Sequence, residues 1–351
     1  MATEVIQKLV CGEHLTRTEA REALDILMDG SATPAQIAAI LVALRMKGET
    51  VEEVTGFAEG MRARVVPVHV NRRPLLDTCG TGGSTFRTFN VSTAAAFVAA
   101  AAGIAVAKHG NRAVTGVCGS ADVLEALGVR VDLTAEQCAA CVETVGIGFL
   151  FAQSHHPAMR QVNGPRREIG VRSIFNLLGP LTNPAGATHQ VMGVYAAQLG
   201  PLVAGALREL GSESAMVLHG EVGLDEISTL GPTSVSELRD GEIVTYTLTR
   251  EDLELTGRLP SRDDLAPAPD APANAVIVRE VLSGEAQDER ARARRDLVAV
   301  NAAAALRVCG LADSWADALH QSRVLLSSGA ALAKLEELAS FTRHLTTQET
   351  H

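Results

Sequence analysis

Leu75-Leu-Asp77-Thr-Cys-Gly80-Thr-Gly82-Gly83, and behind it Asn90-Val-Ser92-Thr93 opening an alanine-rich run to Ala102, is the stretch whose grammar decides the fold. An apolar pair enters a glycine-rich turn, and a helical pattern follows. Strand, turn and helix in that order begin a βαβ unit. Glycines let backbone N–H groups turn toward a ligand, and the start of the next helix adds a positive dipole end, so the stretch suits phosphate. It matches neither GxGxxG nor a Walker A sequence, and by itself it reads equally well as a tight structural turn.

On the C-terminal side the rhythm repeats. Ile104 to Ala107, Gln190 to Tyr195 and Ala215 to Leu218 read as strands, Pro201 to Leu210 as a helix, and the strand-like runs end in loops with glycine and charge. In open α/β sheets ligands collect at such strand ends. On the N-terminal side, capping-box signals at Thr16 with Glu19, Thr33 with Gln36 (Pro34 between them) and Thr50 with Glu53 predict a small helical unit. Ile37, Ile40, Leu41 and Leu44 give its second capped helix an apolar face, and that pattern stops near Gly48. Arg166 to Pro184 is expected to rejoin these helices. Asp263 to Asn274 reads as an exposed loop, and Val276 to Phe341 as strand and amphipathic helix.

Composition narrows the function classes. With 351 residues, 46% of them hydrophobic, the chain can bury a sizeable core. Its net charge of -10 argues against a protein that lives on nucleic acid, which needs clustered Lys and Arg. No apolar run reaches the roughly 18 residues of a membrane span. The cysteines (Cys11, Cys79, Cys118, Cys138, Cys141, Cys309) are too sparse for a secreted scaffold, and no signal pattern opens the chain, so the cytoplasm is the expected compartment. Cys138 and Cys141 form a lone CxxC, read as two small helix residues.

Three further stretches carry chemistry. Lys108-His109-Gly110-Asn111-Arg112 is expected to place cations and a histidine on a loop after a strand, where an anionic substrate or plain solvent would suit them. Gly223-Leu-Asp225-Glu226 offers adjacent carboxylates, the oxygen ligands Mg²⁺ takes together with substrate phosphates. Unless the glycine loop lies nearby, they are merely two exposed acids. His155-His156-Pro157 is followed by Arg166, Arg167 and Arg172, whose forked guanidinium groups suit a planar carboxylate. Consecutive histidines on a helix do not face one ligand, so no metal is assigned to them.

These stretches, in this order, closely resemble the anthranilate phosphoribosyltransferases of tryptophan biosynthesis. The resemblance also takes in Thr33-Pro-Ala-Gln36, Ala43 to Thr50, Gly119-Ser-Ala-Asp122, His156-Pro-Ala-Met159, Ile174 to Pro184 and Asn301-Ala-Ala. It implies an α/β fold: a small, discontinuous all-helical domain (1–69 with 165–187) and a larger α/β domain (70–164 with 188–351) whose central, mostly parallel sheet is flanked by helices. It implies 5-phosphoribosyl-1-pyrophosphate (PRPP) at Gly80, Gly82, Gly83, Ser84, Thr88, Asn90, Ser92, Thr93, Lys108, Asn111 and Ser120. Anthranilate is expected at Gly80, His109, Asn111 and Arg166, and Mg²⁺ at Ser92, Asp225 and Glu226. No side chain is assigned as general base. A homodimer through the helical domain is also implied.

The chain departs from the family pattern in places. Ser84-Thr85 stands where Asp-Gly is usual, Thr115-Gly116 where a Ser-Ser pair is usual, and Val222 where an acid often precedes Gly-Leu-Asp-Glu; Gly164-Pro165 alters the approach to Arg166. Two rival readings share the fold. A pyrimidine nucleoside phosphorylase would use free phosphate and has a different pattern over Lys108 to Ser120. A non-enzymatic nucleic-acid-binding relative would need a basic groove, against the charge of -10.

Overall fold

The computed structural model describes residues 2–113 and 117–347. It begins with α1 (Ala2–Val10), α2 (Arg17–Met28), α3 (Pro34–Lys47) and α4 (Val51–Arg62). The expected capping boxes are all present: Thr16, Thr33 and Thr50 accept from the N–H three residues on, and Glu19, Gln36 and Glu53 reach back. Each box satisfies N–H groups that a helix start leaves unpaired. Ile37, Ile40, Leu41 and Leu44 are buried, and α3 stops at Gly48. Glu53 does more than cap. Completely buried, it accepts from Leu15 N at 2.9 Å and from Lys47 Nζ at 2.8 Å, joining the turn before α2 to α3 and α4.

The strands are β1 (Leu75–Gly80), β2 (Ala105–Gly110), β3 (Ile147–Phe151), β4 (His189–Gly193), β5 (Ser214–Gly220), β6 (Thr233–Arg239) and β7 (Glu242–Leu248). They form one sheet in the order β3-β2-β1-β4-β5-β6-β7, parallel through β5 and antiparallel beyond. The remaining helices are α5 (Val91–Ala101), α6 (Ser120–Ala126), α7 (Ala135–Val145), α8 (Ala152–His155), α9 (Arg160–Ile169), α10 (Phe175–Leu181), α11 (Leu199–Glu209), α12 (Arg262–Leu265), α13 (Ala271–Leu282), α14 (Glu289–Val308), α15 (Trp315–Ser327) and α16 (Ala330–Thr347).

Side chains alternate across the sheet and feed two cores. Val191, Met216 and Leu218 belong to the core that α5 and α13–α16 cover. Met192, Ala215 and Val217 belong to the other, which α11 and the N-terminal helices share. On the first face, alanines carry the packing. Ala94, Ala95, Ala96, Ala99 and Ala100 of α5 and Ala302 to Ala305 of α14 are buried, and their small side chains let these helices lie close together. On the second face α4 packs on α11, α9 on α2 and α3, and α10 on α4, so the segment around Arg166 to Pro184 rejoins the N-terminal helices.

Several expectations need correction. Among the described residues Val276 to Phe341 holds helices only, because a short apolar run reads alike in a strand and in a buried helix. Asp263 to Asn274 is not all loop: α12 and the start of α13 lie in it, each under a polar cap, Ser261 and Asp270. The hairpin β6–β7 and the strand β3 carried no sequence expectation.

Candidate active site

Chain order reverses direction between β1 and β4, so the C-terminal ends of these neighbours open the crevice where such sheets bind ligands. Their last residues, Gly80 and Gly193, are paired. The loop after β5 lies directly on them. A Cβ on Gly80 would come 2.6 Å from Asp225 Oδ2, and one on Gly193 only 1.6 Å from Asp225 O. Glycine at both positions is the condition for bringing the acid loop over the glycine loop. The two stretches are therefore spatial neighbours.

Hydroxyls join them further. Ser84 Oγ donates to Asp225 Oδ1 at 2.5 Å and Thr88 Oγ1 to Glu226 Oε2 at 2.8 Å. Burial, and then the neighbouring Asp225, push the Glu226 carboxyl up to about 8. Two adjacent carboxyl groups offer the hard oxygen donors that suit a divalent cation, and with no third His, Cys, Asp or Glu converging among the described residues, other positions are left for phosphate oxygens. Ser92, the third expected ligand, has its hydroxyl 3.4 Å from Lys108 Nζ. Asn301 of α14 fixes the backbone just past the acids: its Oδ1 accepts from Ile227 N at 2.9 Å and its Nδ2 donates to Ile227 O at 3.0 Å.

Lys108 and His109 are not on a loop. They belong to β2, buried and paired with Phe149 and Leu150 of β3. Burial is tolerable because polar partners are supplied: Lys108 Nζ donates to Thr78 O at 2.5 Å, and His109 N to Asp77 Oδ1 at 3.1 Å. Asp77, inside β1 and fully buried, also accepts from Asn183 Nδ2 at 2.8 Å. Burial nevertheless raises Asp77 to about 6 and lowers Lys108. Arg112, expected beside them as a second cation, turns away to pair with Glu125 and Asp122.

The start of α5 is open. Asn90 stands at its N-cap without a side-chain cap bond; its Nδ2 donates to Cys118 O at 3.2 Å. Asn90 Oδ1 and Thr93 Oγ1 are buried without a hydrogen-bond partner among the described residues. Orphaned polar atoms of this kind call for an unseen partner. Free N–H groups of the first turn and the helix dipole make the same place receptive to an anion. Asn111 and Ser120 lie side by side, Ser120 Oγ donating to Asn111 O at 3.2 Å. Thr115-Gly116, where the chain departs from the family pattern, lies outside the described residues.

His109 meets His156 instead of solvent: their Nε2 atoms are 3.2 Å apart, and burial holds both rings low, near 3 and 4. His155 points elsewhere, its Nδ1 3.1 Å from Val66 O, so the consecutive histidines do diverge. The guanidinium of Arg166 lies over the Phe175 ring at 5.0 Å, and no ion pair or hydrogen bond holds it among the described residues. Burial lowers its pKa, as expected of an unpaired cation out of water. Arg172, one of the three arginines whose fork suits a carboxylate, is engaged by the protein itself. It donates from Nη2 to Gly83 O at 2.7 Å while stacking on Tyr195 at 4.3 Å, tying the segment after α9 to the glycine loop. Cys138 and Cys141 are buried free thiols of α7.

Comparison with known proteins agrees with this architecture. The model of the glycosyl transferase family a/b domain matches residues 72–332, and that of the helical bundle domain matches 3–65. The chain is 53% identical over 344 residues to the anthranilate phosphoribosyltransferase of Anaeromyxobacter sp. (strain K), covering 97% of this chain and 99% of that one. It superposes on the crystal structure of anthranilate phosphoribosyltransferase from Thermus thermophilus with a TM-score of 0.89 at 42% identity, covering 97% and 99% of the two chains. It is also similar to the Saccharomyces cerevisiae enzyme in complex with PRPP and Mg, with a TM-score of 0.88 at 27% identity over 98% of each chain. By sequence over almost its whole length, and by a sheet whose crevice joins a glycine loop to an acid pair, the chain belongs to the anthranilate phosphoribosyltransferase family.

Proposed function

We propose that this chain transfers the 5-phosphoribosyl group of PRPP to the amine of anthranilate, releasing pyrophosphate and forming N-(5-phosphoribosyl)anthranilate, a step of L-tryptophan biosynthesis. The observation that carries the reading is the pair of orphaned polar atoms, Asn90 Oδ1 and Thr93 Oγ1, at an open helix start that Thr88 links to Glu226. PRPP lies along Gly80 to Thr93, its hydroxyls and phosphates meeting Gly82, Gly83, Ser84, Thr88, Asn90, Ser92 and Thr93, with Lys108, Asn111 and Ser120 beside it. Asp225 and Glu226, with Ser92, hold Mg²⁺, which when bound draws charge from the leaving pyrophosphate.

Anthranilate stacks near His109, Asn111 and Gly80, and its carboxylate meets Arg166, whose guanidinium has no anionic partner among the described residues. The C1–O bond to pyrophosphate breaks, the N–C1 bond forms, and the amine proton leaves to solvent. An aromatic amine is already unprotonated near neutral pH, so orientation replaces a strong general base. The chain divides at 69/70, 164/165 and 187/188. The hydrogen bond from Val66 N to His155 O, 2.9 Å, joins the two parts beside the first crossing and supports our reading of these crossings as the hinges on which the helical part closes and excludes water. Val10 and Met46, exposed apolar residues of α1 and α3, support a homodimer through that part. No described helix is long and apolar enough to cross a membrane, and we place the enzyme in the cytoplasm.

The test mixes the purified protein with PRPP, Mg²⁺ and anthranilate and follows anthranilate fluorescence together with pyrophosphate release. Both signals are expected in the parent and neither in Asp225→Ala/Glu226→Ala. A folded parent that leaves anthranilate untouched overturns the reading.

A further inference from the structure

The carboxylates that the proposed function gives to Mg²⁺ are already engaged by the protein itself. Ser84 Oγ occupies Asp225 Oδ1 at 2.5 Å, and Thr88 Oγ1 occupies Glu226 Oε2 at 2.8 Å. The other oxygen of Asp225 leans on Gly80, where a Cβ would approach it to 2.6 Å. A cation approaching Asp225 therefore has to compete with a hydroxyl for Oδ1, the oxygen not packed against backbone.

The backbone on either side of Ser84 is held. Gly83 O accepts from Arg172 Nη2 at 2.7 Å, and Phe86 N donates to Gly223 O at 3.1 Å. Arg262 stacks over the Phe86 ring at 4.9 Å and donates to Val222 O at 3.1 Å, fixing the two loops to each other. With the main chain tied on both sides, the inexpensive movement is rotation of the Ser84 side chain about χ1, which releases Asp225 without moving the loop.

We infer that Ser84, seconded by Thr88, is an internal competitor for the acid pair, keeping affinity for free divalent cation low so that the cation is captured chiefly in company with substrate phosphates. Besides its contact with PRPP, Ser84 acts on the cation through Asp225, and in that role it is a positioning residue. A hydroxyl that donates to a carboxylate must be displaced before that oxygen can serve a metal, and the donor lost in that exchange weakens metal binding by the worth of one charged hydrogen bond. Phosphates brought by the substrate supply further ligands to the same cation and overcome the competition. The inference rests on the assignment of Asp225 and Glu226 as the metal pair.

The test is direct binding of Mn²⁺ alone, without PRPP or anthranilate, read by the electron paramagnetic resonance signal of the free ion, with thermal melts confirming that each variant is folded. Ser84→Ala is expected to bind Mn²⁺ roughly ten-fold more tightly than the parent, the lower end of what a hydrogen bond to a charged group is worth. Thr88→Val is expected to shift affinity in the same direction, and Ser84→Thr, which keeps the hydroxyl, to stay near the parent. Equal or weaker binding by folded Ser84→Ala overturns the inference, since the hydroxyl is then a bystander or itself a ligand. Asp225→Asn separates the two levels: if it binds Mn²⁺ as the parent does, the metal assignment fails, and if it abolishes binding while Ser84→Ala changes nothing, only the competition fails.

Discussion

Replacing Asn183 with alanine removes a polar bolt from the junction between the sheet and the helical part. Its Nδ2 donates to Asp77 Oδ2 and to Ala107 O, both at 2.8 Å, and its Oδ1 accepts from Ala185 N at 2.9 Å. All of this is buried, so water does not replace what is lost. Neutral bonds of this kind contribute about 1 kcal/mol each and a bond to a carboxylate about 2 kcal/mol, giving a loss of about 4 kcal/mol where Asp77 is charged. The pH dependence follows from the sign of the Asp77 shift. Its folded value, about 6, lies above the ordinary 3.8, so the fold favours the protonated acid, a contribution complete below 3.8 and lost as pH rises through 6. The Asn183 amide opposes that shift by favouring the carboxylate, so its removal raises Asp77 further. Urea unfolding of Asn183→Ala should thus show a larger loss at pH 8 than at pH 5, where Asp77 is protonated in either protein. The difference is about 1.4 kcal/mol for each further pKa unit. A loss below about 1 kcal/mol at pH 8, or an equal loss at both pH values, refutes the reasoning.

Arg166→Gln should raise the KM for anthranilate roughly 30-fold while that for PRPP changes by less than about two-fold, because only the carboxylate contact is removed; steady-state kinetics with each substrate varied distinguishes this from a general loss. Gly193→Ala forces a methyl group to 1.6 Å from Asp225 O, so Mn²⁺ binding should be lost in a protein that still melts cooperatively, and retained binding would falsify the packing argument. Burial depresses His156 from 6.5 to about 4, so the stability it contributes is present above pH 6.5 and lost as pH falls through 4, up to about 3 kcal/mol. Denaturant midpoints measured across that range should flatten in His156→Gln; an unchanged slope there means that other groups set the acid limb.

Local signals were legible where the physics is local. A capping box is settled by residues three apart, and Thr16, Thr33, Thr50 and Gly48 are found as read. The glycine loop and the acid pair were also legible as separate stretches, each at a strand end. Their contact was not, because Ser84 and Asp225 meet across 141 positions and nothing in either stretch names the other. Lys108 and His109 misled for a related reason: charged and titratable residues after an apolar run read as a solvated loop, and only distant partners, Thr78 and Asp77, make their burial in β2 tolerable. Asn301 was visible as part of a family pattern, yet its grip on Ile227, 74 positions away, depends on how α14 lies on the sheet. Arg172 differs from its neighbours Arg166 and Arg167 only in space, where it alone of the three reaches Gly83.

The second core has one more consequence. Met192 and Val217 of the sheet, Val194 just past β4, Val203 and Leu207 of α11, and Leu27, Leu41 and Phe57 of the first helices belong to one continuous apolar cluster. The N-terminal helices are therefore the outer wall of the sheet's second face. Cutting the chain after Arg62 would leave α11 with an uncovered flank, including Gly205, which now lies against Val51. The remaining α/β part should then associate with itself or with another hydrophobic surface before it could act as an isolated PRPP-binding module. A lineage that kept the sheet but discarded the helices would first have to repaint that flank with polar residues.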